Sequence, residues 1–152
     1  MDQDLTSDVM IELHVPDFGL TKEFYGEIGY ETVWEKVAVG DKGYLVMRSG
    51  SSVLNFYCGT DQVYSHDYFG KFPEETPRGF GVEIIMPVDN IEDFYGKFEE
   101  ILASNIIKPL NANHSHRDFR AVDPFGFYLR FVERYNWVDN RNSDGTEKTH
   151  EK

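Results

Sequence analysis

The segment that decides the fold is Arg117-Asp-Phe-Arg-Ala-Val-Asp-Pro-Phe-Gly-Phe-Tyr-Leu-Arg-Phe-Val-Glu133. It predicts two strands, residues 119–122 and residues 127–133, joined by a tight turn. In the turn, Pro124 presets φ and Gly126 can take the positive φ of a bulged hairpin. After the turn, side chains alternate between two faces of a strand. One face is apolar throughout: Phe127, Leu129 and Phe131. The other face has Arg130 at its centre. A half-buried arginine needs a partner, so this face is the first candidate for a binding surface.

Composition limits the kinds of function. The chain has 152 residues, of which 40% are hydrophobic and 15% aromatic. These proportions allow a real core and leave aromatic side chains to line a cavity. The formal net charge of −12 argues against nucleic acid as a partner. The charge is compatible with a cationic or neutral small ligand, and equally with an acidic surface that aids solubility.

Two further observations bear on location and cofactors. The single cysteine, Cys58, excludes an internal disulfide and a cysteine-based zinc site. No apolar run approaches the roughly 18 residues of a membrane span, and the first residues are acidic, unlike a targeting peptide. We therefore expect a cytoplasmic protein with no membrane partner.

Outward from the hairpin, the chain divides into two similar halves separated by a linker. Residues 8–58 predict a first βαβββ module, whose first strand we expect at residues 9–15. Residues 80–135 predict a second, whose first strand we expect at residues 80–87. We expect residues 59–79 to be an irregular but packed linker and residues 136–152 to be a disordered polar tail. Side chains expected on the buried sides of the two helices are Leu20, Phe24 and Ile28, and then Phe94, Phe98, Ile101 and Leu102.

An internal repeat supports this division. The tetrad Glu23-Phe-Tyr-Gly26 matches Asp93-Phe-Tyr-Gly96, and we expect both tetrads in the first turns of their helices. The flanking strands agree as well. Fixed-period self-similarity is a strong fold signal, and two such modules must share a sheet or close on each other.

Four motifs together resemble the vicinal oxygen chelate superfamily, which includes glyoxalases, bleomycin-resistance proteins and dioxygenases. They are Leu13-His-Val-Pro-Asp17, Phe24-Tyr-Gly-Glu-Ile-Gly-Tyr30, Val88-Asp-Asn90 and Asp123-Pro-Phe-Gly-Phe-Tyr-Leu-Arg-Phe131. The last resembles the superfamily's Asp-Pro-x-Gly turn and is the most specific. The resemblance implies an α+β fold. In it, two tandem βαβββ modules form a curved mixed sheet around a cleft, with the helices outside.

The resemblance also bears on whether this chain binds a catalytic metal. Metal-dependent members of the superfamily place His, Gln or Glu ligands on four strands. The matching positions here are Met10, Asn55, Glu83 and Arg130. Only Glu83 is a good ligand, and Arg130 puts a fixed positive charge where the metal would sit. We therefore predict no catalytic metal and no cofactor.

Other histidines leave open the alternative that a metal ion binds at a different position. His14 lies on the same strand face as Met10, and His66 lies in the linker. His114 and His116 form a loop pair that has no third ligand at a readable spacing. A hydrogen-bonded strand histidine and solvated loop histidines are the simpler interpretations.

The non-core strand faces supply the candidate ligand site. If the modules pair as the resemblance implies, these faces converge on one cleft. The candidate ligand-binding residues are Met10, Glu12, His14, Trp34, Asn55, Tyr57, Glu83, Phe119, Tyr128 and Arg130. We expect an ion pair between Glu83 and Arg130. This pair either plugs a degenerate metal site or helps to bind a small polar or planar ligand.

Three functions compete. The first is a small-molecule binding protein that sequesters a cationic or aromatic ligand without a metal, resembling bleomycin-resistance proteins and forming a homodimer. The second is a glyoxalase- or dioxygenase-like lyase or isomerase that uses a displaced metal, or Glu83 or Glu12 as general base. The third is a sensing or structural module with a blocked cleft.

Overall fold

The computed structural model describes residue 5, residues 8–111, residues 117–134, and residues 144 and 146. The chain divides into two compact units, Met1–Thr76 and Pro77–Lys152. His114 and His116 lie outside the described residues, as does nearly all of the predicted tail.

The first module has the element order β1 (Glu12–Val15), α1 (Phe18–Glu27), β2 (Glu31–Lys36), β3 (Gly43–Ser49) and β4 (Ser52–Cys58). The strands form one mixed sheet in the order β1-β4-β3-β2. β1 pairs with β4 in parallel, and the other pairs are antiparallel.

The segment after β4 contains two 3-10 turns, Asp61–Ser65 and Phe69–Lys71. It is therefore partly ordered by its own hydrogen bonds. The exact bounds predicted for the linker and the modules stay predictions.

The second module repeats the arrangement with β5 (Ile84–Val88), α2 (Ile91–Leu102), β6 (Ile106–Lys108), β7 (Asp118–Val122) and β8 (Tyr128–Glu133). A 3-10 turn, Ala103–Asn105, follows α2. The strand order β5-β8-β7-β6, with β5 and β8 parallel, matches that of the first sheet strand for strand. The prediction of an α+β fold with two tandem βαβββ modules is confirmed.

Each helix begins at a polar cap. The Asp17 side chain accepts a hydrogen bond from the Leu20 backbone N–H at 2.9 Å, and the Asn90 side chain accepts one from the Asp93 N–H at 3.1 Å. Such caps satisfy N–H groups that have no partner within the helix. The repeated tetrads do not occupy equivalent positions, because Glu23 is the sixth residue of α1 and Asp93 is the third of α2. The expectation that both tetrads lie in first turns is therefore wrong for α1.

One face of each sheet packs on its own helix. In the first module, Tyr25 of α1 contacts Phe56 of β4, with ring centroids 5.0 Å apart. In the second, Phe98 of α2 contacts Phe119 at 5.2 Å and Phe131 at 5.4 Å. Large apolar side chains that alternate along the strands are thereby removed from water, which is the main stabilising contribution.

Two of the predicted buried helix positions are exposed. Leu20 is 47% exposed and Ile101 is 57% exposed. Thr21 and Tyr25, both fully buried, take the inward side of α1. The buried side of α1 is formed by Phe18, Thr21, Phe24 and Tyr25, and Leu20 lies outside it.

The turn between β7 and β8 forms as predicted. Asp123 is buried, and its Oδ1 accepts hydrogen bonds from the N–H groups of Phe125 and Phe127, both at 2.9 Å. Gly126 has a φ of +97°. The aspartate thus orders the backbone between β7 and β8, and the glycine allows the left-handed step.

Both leading strands are shorter than predicted. β1 and β5 were expected to begin at Val9 and Phe80, but they begin at Glu12 and Ile84. Val9 is 78% exposed and Phe80 is 85% exposed. Both apolar side chains are therefore mostly exposed to water.

No helix among the described residues is both long enough and apolar enough to span a membrane.

Candidate functional site

The face of the first sheet that points away from α1, here called the first open face, brings together most of the predicted site residues of this module. Strand register places Glu12 beside Asn55 and His14 beside Tyr57, and Tyr57 in turn pairs with Tyr44 on its other side. Trp34 lies on the same face through its pairing with Val46. The alternation of strand side chains thus positions a polar and aromatic surface.

Glu12 is the acidic centre of this face. Its Oε2 accepts a hydrogen bond from the Tyr44 hydroxyl at 2.7 Å, and its Oε1 lies 3.0 Å from His14 Nε2. The Glu12 side chain is 40% exposed. A carboxylate held from two sides and open on a third can still accept a hydrogen bond from a ligand or attract a cation.

Aromatic rings surround His14. Its ring centroid lies 4.8 Å from that of Tyr57, 5.0 Å from that of His66 and 5.1 Å from that of Phe69. The segment after β4 therefore contributes directly to the first open face. His66 is oriented by its own backbone, because its Nδ1 accepts hydrogen bonds from the N–H groups of Tyr68 and Phe69.

The two tyrosines on this face have altered acidity. Burial, followed by the hydrogen bond to Glu12 and its charge, raises the pKa of Tyr44 to about 12. Desolvation also raises the pKa of Tyr57, and nearby acidic groups add to this. Both hydroxyls are therefore neutral donors at neutral pH.

Three other predicted residues differ in accessibility. Asn55 is buried, whereas Met10 is 53% exposed and Trp34 is 52% exposed. Met10 precedes β1 and lies outside the sheet. Trp34 contacts Tyr44, with centroids 6.2 Å apart, so its indole extends the aromatic surface around Glu12.

The corresponding surface of the second module, the second open face, is dominated by charge. Register places Arg120 directly opposite Arg130 on the two antiparallel strands. Arg130 Nε donates to Asp118 Oδ2 at 2.7 Å, while its distance to Glu83 Oε1 is 4.0 Å. The predicted pairing of Glu83 with Arg130 is therefore a loose one, and Asp118 is the close partner.

Arg120 completes this cluster. Its Nε lies 3.7 Å from Glu83 Oε1, and its Nη2 lies 3.4 Å from Asp118 Oδ2. A hydrogen bond with Tyr128 and the charge of Glu83 help to raise the pKa of Arg120. Tyr128 therefore lies in this cluster, and its part in ligand binding stays a prediction.

Phe119 does not belong to either open face. It is fully buried and stacks on Phe131, with centroids 4.8 Å apart, on the α2 side of the sheet. Phe119 lies between Asp118 and Arg120 on β7, so its side chain must point to the face opposite to theirs. Its inclusion among the ligand-binding residues is therefore corrected.

Sequence reasoning missed four residues of these faces: Tyr44, Phe69, Asp118 and Arg120. Alternation along the predicted strands was a signal for Tyr44 and Arg120, because each shares a face with a residue already chosen. Asp118 was placed just outside its strand. Phe69 belongs to an irregular segment, where no periodicity assigns a face.

The four positions that resemble a metal site do not fit one. Met10 offers a soft thioether, Asn55 is buried, and Arg130 is bound to Asp118. In the described part of the chain, no group of three or more His, Cys, Asp or Glu side chains is arranged to hold a metal ion. We therefore derive no metal-dependent step at these positions.

Comparison with solved structures defines the class of fold. A bleomycin-binding protein solved in complex with bleomycin matches with a TM-score of 0.56 and 18% identity, over 86% of this chain and 100% of that one. A bleomycin resistance determinant encoded on the transposon Tn5 matches with a TM-score of 0.57 and 20% identity over the same shares. A glyoxalase family protein from Enterococcus faecalis gives 0.59 and 20%, again over 86% and 100%.

The chain therefore has the same fold as these bleomycin-resistance and glyoxalase family proteins, which is the fold that its motifs predicted. No protein-family profile matches the sequence, and no curated protein sequence matches it. At these identities the likeness concerns the fold, and the function must be argued from the open faces.

Proposed function

We propose that this protein binds and sequesters a small molecule that is both cationic and aromatic, and that it does so on the first open face without a catalytic metal. The observation that carries the proposal is the environment of Glu12. Its partly exposed carboxylate lies among Tyr44, His14 and their neighbouring rings.

This arrangement suits such a ligand for two physical reasons. A carboxylate attracts a cation, and the faces of aromatic rings attract it as well. Trp34 and Phe69, each about half exposed, offer apolar area on which a planar group can stack. The net charge of −12 favours the approach of a cation over that of an anion.

Bleomycin is the natural first ligand to test, because one protein of this fold was solved in complex with it. Isothermal titration of the full chain with bleomycin should show saturable binding, and Glu12→Gln should weaken it at least about tenfold. A ligand at 100 times its dissociation constant should add about 2.7 kcal/mol to the free energy of unfolding.

A matched control comes from the second module. Glu99 accepts a hydrogen bond from the Tyr95 hydroxyl at 2.8 Å, so it reproduces the Glu12–Tyr44 pair away from the first open face. Glu99→Gln should leave binding unchanged. If bleomycin and a panel of cationic aromatic compounds all fail to bind the wild type, the sequestration proposal is wrong.

A second candidate function is a lyase or isomerase of the glyoxalase type that uses Glu12 or Glu83 as general base. The contact of Glu12 with His14 favours Glu12, because the pair could accept a proton and pass it on. Glu83 is already engaged by two guanidinium groups. Turnover of an α-ketoaldehyde with a thiol in metal-free buffer, lost in Glu12→Gln, would support this candidate over sequestration.

We also propose that the protein is a cytoplasmic homodimer. The consecutive apolar side chains of Val9, Met10 and Ile11, which precede β1, are all exposed, and a contiguous exposed apolar patch is typical of a surface that another chain covers. Sedimentation equilibrium at micromolar concentration tests the dimer. A purely monomeric protein would contradict it.

A further inference from the structure

We propose that the second open face binds a small carboxylate, which Arg120 and Arg130 would hold and whose place Glu83 occupies in the free protein. This inference uses none of the residues of the first open face. Its failure would therefore leave the proposed function untouched, and the converse also holds.

The starting observation is that two arginines lie directly across from each other. Arg120 and Arg130 form a cross-strand pair on β7 and β8, and their side chains are only 25% and 15% exposed. Like charges in such a pair destabilise a sheet, and removal from water increases the cost. The pair is tolerable only with negative charge close by.

The negative charge that the module supplies is poorly placed. Asp118 hydrogen-bonds closely to Arg130 but only at 3.4 Å to Arg120. Glu83 Oε1 lies 3.7 Å and 4.0 Å from the two Nε atoms, which are ion-pair distances too long for hydrogen bonds. Among the described residues, nothing accepts a hydrogen bond from the buried Arg120 Nε. One more well-placed acceptor would complete the cluster.

The geometry favours a carboxylate for that acceptor. A guanidinium presents its N–H groups in a planar fork that matches the two oxygens of a carboxylate. Ile85 is paired with Arg130 in the sheet and is 46% exposed, and Tyr128 lies on the same face. These neighbours offer apolar contact to the body of a ligand, so we expect an aromatic or aliphatic monocarboxylate to bind better than inorganic phosphate.

Glu83 behaves as an internal competitor. It precedes β5, so its backbone is not held in the sheet ladder, and its side chain is 36% exposed. A ligand carboxylate entering the cluster would displace it to solvent. Asp118, by contrast, fixes the position of Arg130 and should stay in place.

The test measures the affinity of the full chain for benzoate by isothermal titration calorimetry. Inorganic phosphate and benzylamine are the comparison probes. Glu83→Gln removes the competitor and should tighten benzoate binding by about tenfold, whereas Arg120→Gln should weaken it by about tenfold or more. Arg134→Gln is the control, because this exposed arginine pairs with Asp89 away from the cluster. It should leave the benzoate affinity unchanged.

Each outcome decides the proposal. Tighter binding by Glu83→Gln with loss in Arg120→Gln supports it, and rescue in part by Arg120→Lys would show that charge as well as the fork contributes. The proposal is wrong if Glu83→Gln leaves the benzoate affinity unchanged or if benzylamine binds as well as benzoate. It is also wrong if neither the wild type nor Glu83→Gln binds benzoate. Glu83→Gln alters an exposed side chain, so it keeps the test decisive even if Arg120→Gln fails to fold. Preference for phosphate over benzoate would reject the carboxylate specificity.

Discussion

Gly43 lies opposite Cys58 where β3 and β4 pair, and a Cβ on Gly43 would lie 2.1 Å from the carbonyl oxygen of Cys58. The same Cβ would also lie 2.7 Å from the Cα of Ala38. Both neighbours are backbone atoms that cannot rotate away. Only glycine fits at this position, because the backbones of the two strands approach more closely than any side chain permits.

Gly43→Ala should therefore lower the free energy of unfolding by about 3 kcal/mol or more, the upper range for overpacking a buried site. Chemical denaturation followed by circular dichroism measures it. The matched control is Gly96→Ala in α2, where the added Cβ meets no atom within 4 Å. That change should stabilise the protein by about 0.5–1 kcal/mol, because alanine is the better helix former. Equal effects of the two substitutions would contradict the packing argument.

The chain offers a direct comparison of a buried and an exposed ion pair. Arg130 with Asp118 is 15% and 17% exposed, whereas Arg134 with Asp89 is 64% and 87% exposed. Their N–O distances are similar, 2.7 Å and 2.9 Å. Asp118→Asn should cost about 2 kcal/mol of unfolding free energy, since it removes the closest charge partner of a largely buried arginine. Asp89→Asn should cost less than about 0.5 kcal/mol.

Urea denaturation at low and high salt distinguishes the two pairs further. Screening acts on exposed charges, so added salt should diminish the already small effect of Asp89→Asn. The loss in Asp118→Asn should persist. If Asp118→Asn is neutral at both salt concentrations, the arginine cluster does not depend on that carboxylate.

Much of this fold could be predicted from the sequence, because its determinants are local. Alternation along the sequence predicts most of the strands, and Asp123 with Gly126 predicts the hairpin turn. Strand ends were less predictable. Val9 and Phe80 have strand-like side chains, but whether they join the sheet depends on a pairing partner that the residue itself does not specify.

The candidate site was only partly predictable for the same reason. Glu12 and His14 were identified by strand face, yet their contacts with Tyr44 and Phe69 depend on sheet register and on an irregular segment. Phe119 was misassigned because aromatic character alone does not say which side of the sheet a residue takes. Adjacent positions on one strand always face opposite ways.

Two apolar residues of α2 test whether the sequence pattern or the actual packing determines stability. Phe98 and Ile101 were both predicted to be buried, but Phe98 is 3% exposed and Ile101 is 57% exposed. Phe98→Ala should lower the free energy of unfolding by about 3–5 kcal/mol, since a cavity would form against Phe119 and Phe131.

Ile101→Ala is the comparison on the same helix. Most of its side chain already lies in water, so the loss should be about 1 kcal/mol or less. Thermal unfolding of both variants beside the wild type gives the ranking. A larger loss of stability in Ile101→Ala than in Phe98→Ala would mean that Ile101 packs against a group outside its own module in solution.

Tyr44 makes stability depend on pH in the alkaline range. Its pKa rises from 10.0 to about 12 in the folded protein, chiefly through burial and then through Glu12. Because the folded state holds the proton more tightly, the stabilisation is fully present below pH 10 and is lost as the pH rises from 10 towards 12. Difference absorbance titration of wild type against Tyr44→Phe should show one tyrosine ionising in this upper range. Glu12→Gln should lower that pKa towards 10, and an unchanged titration in Glu12→Gln would mean that burial alone accounts for the shift.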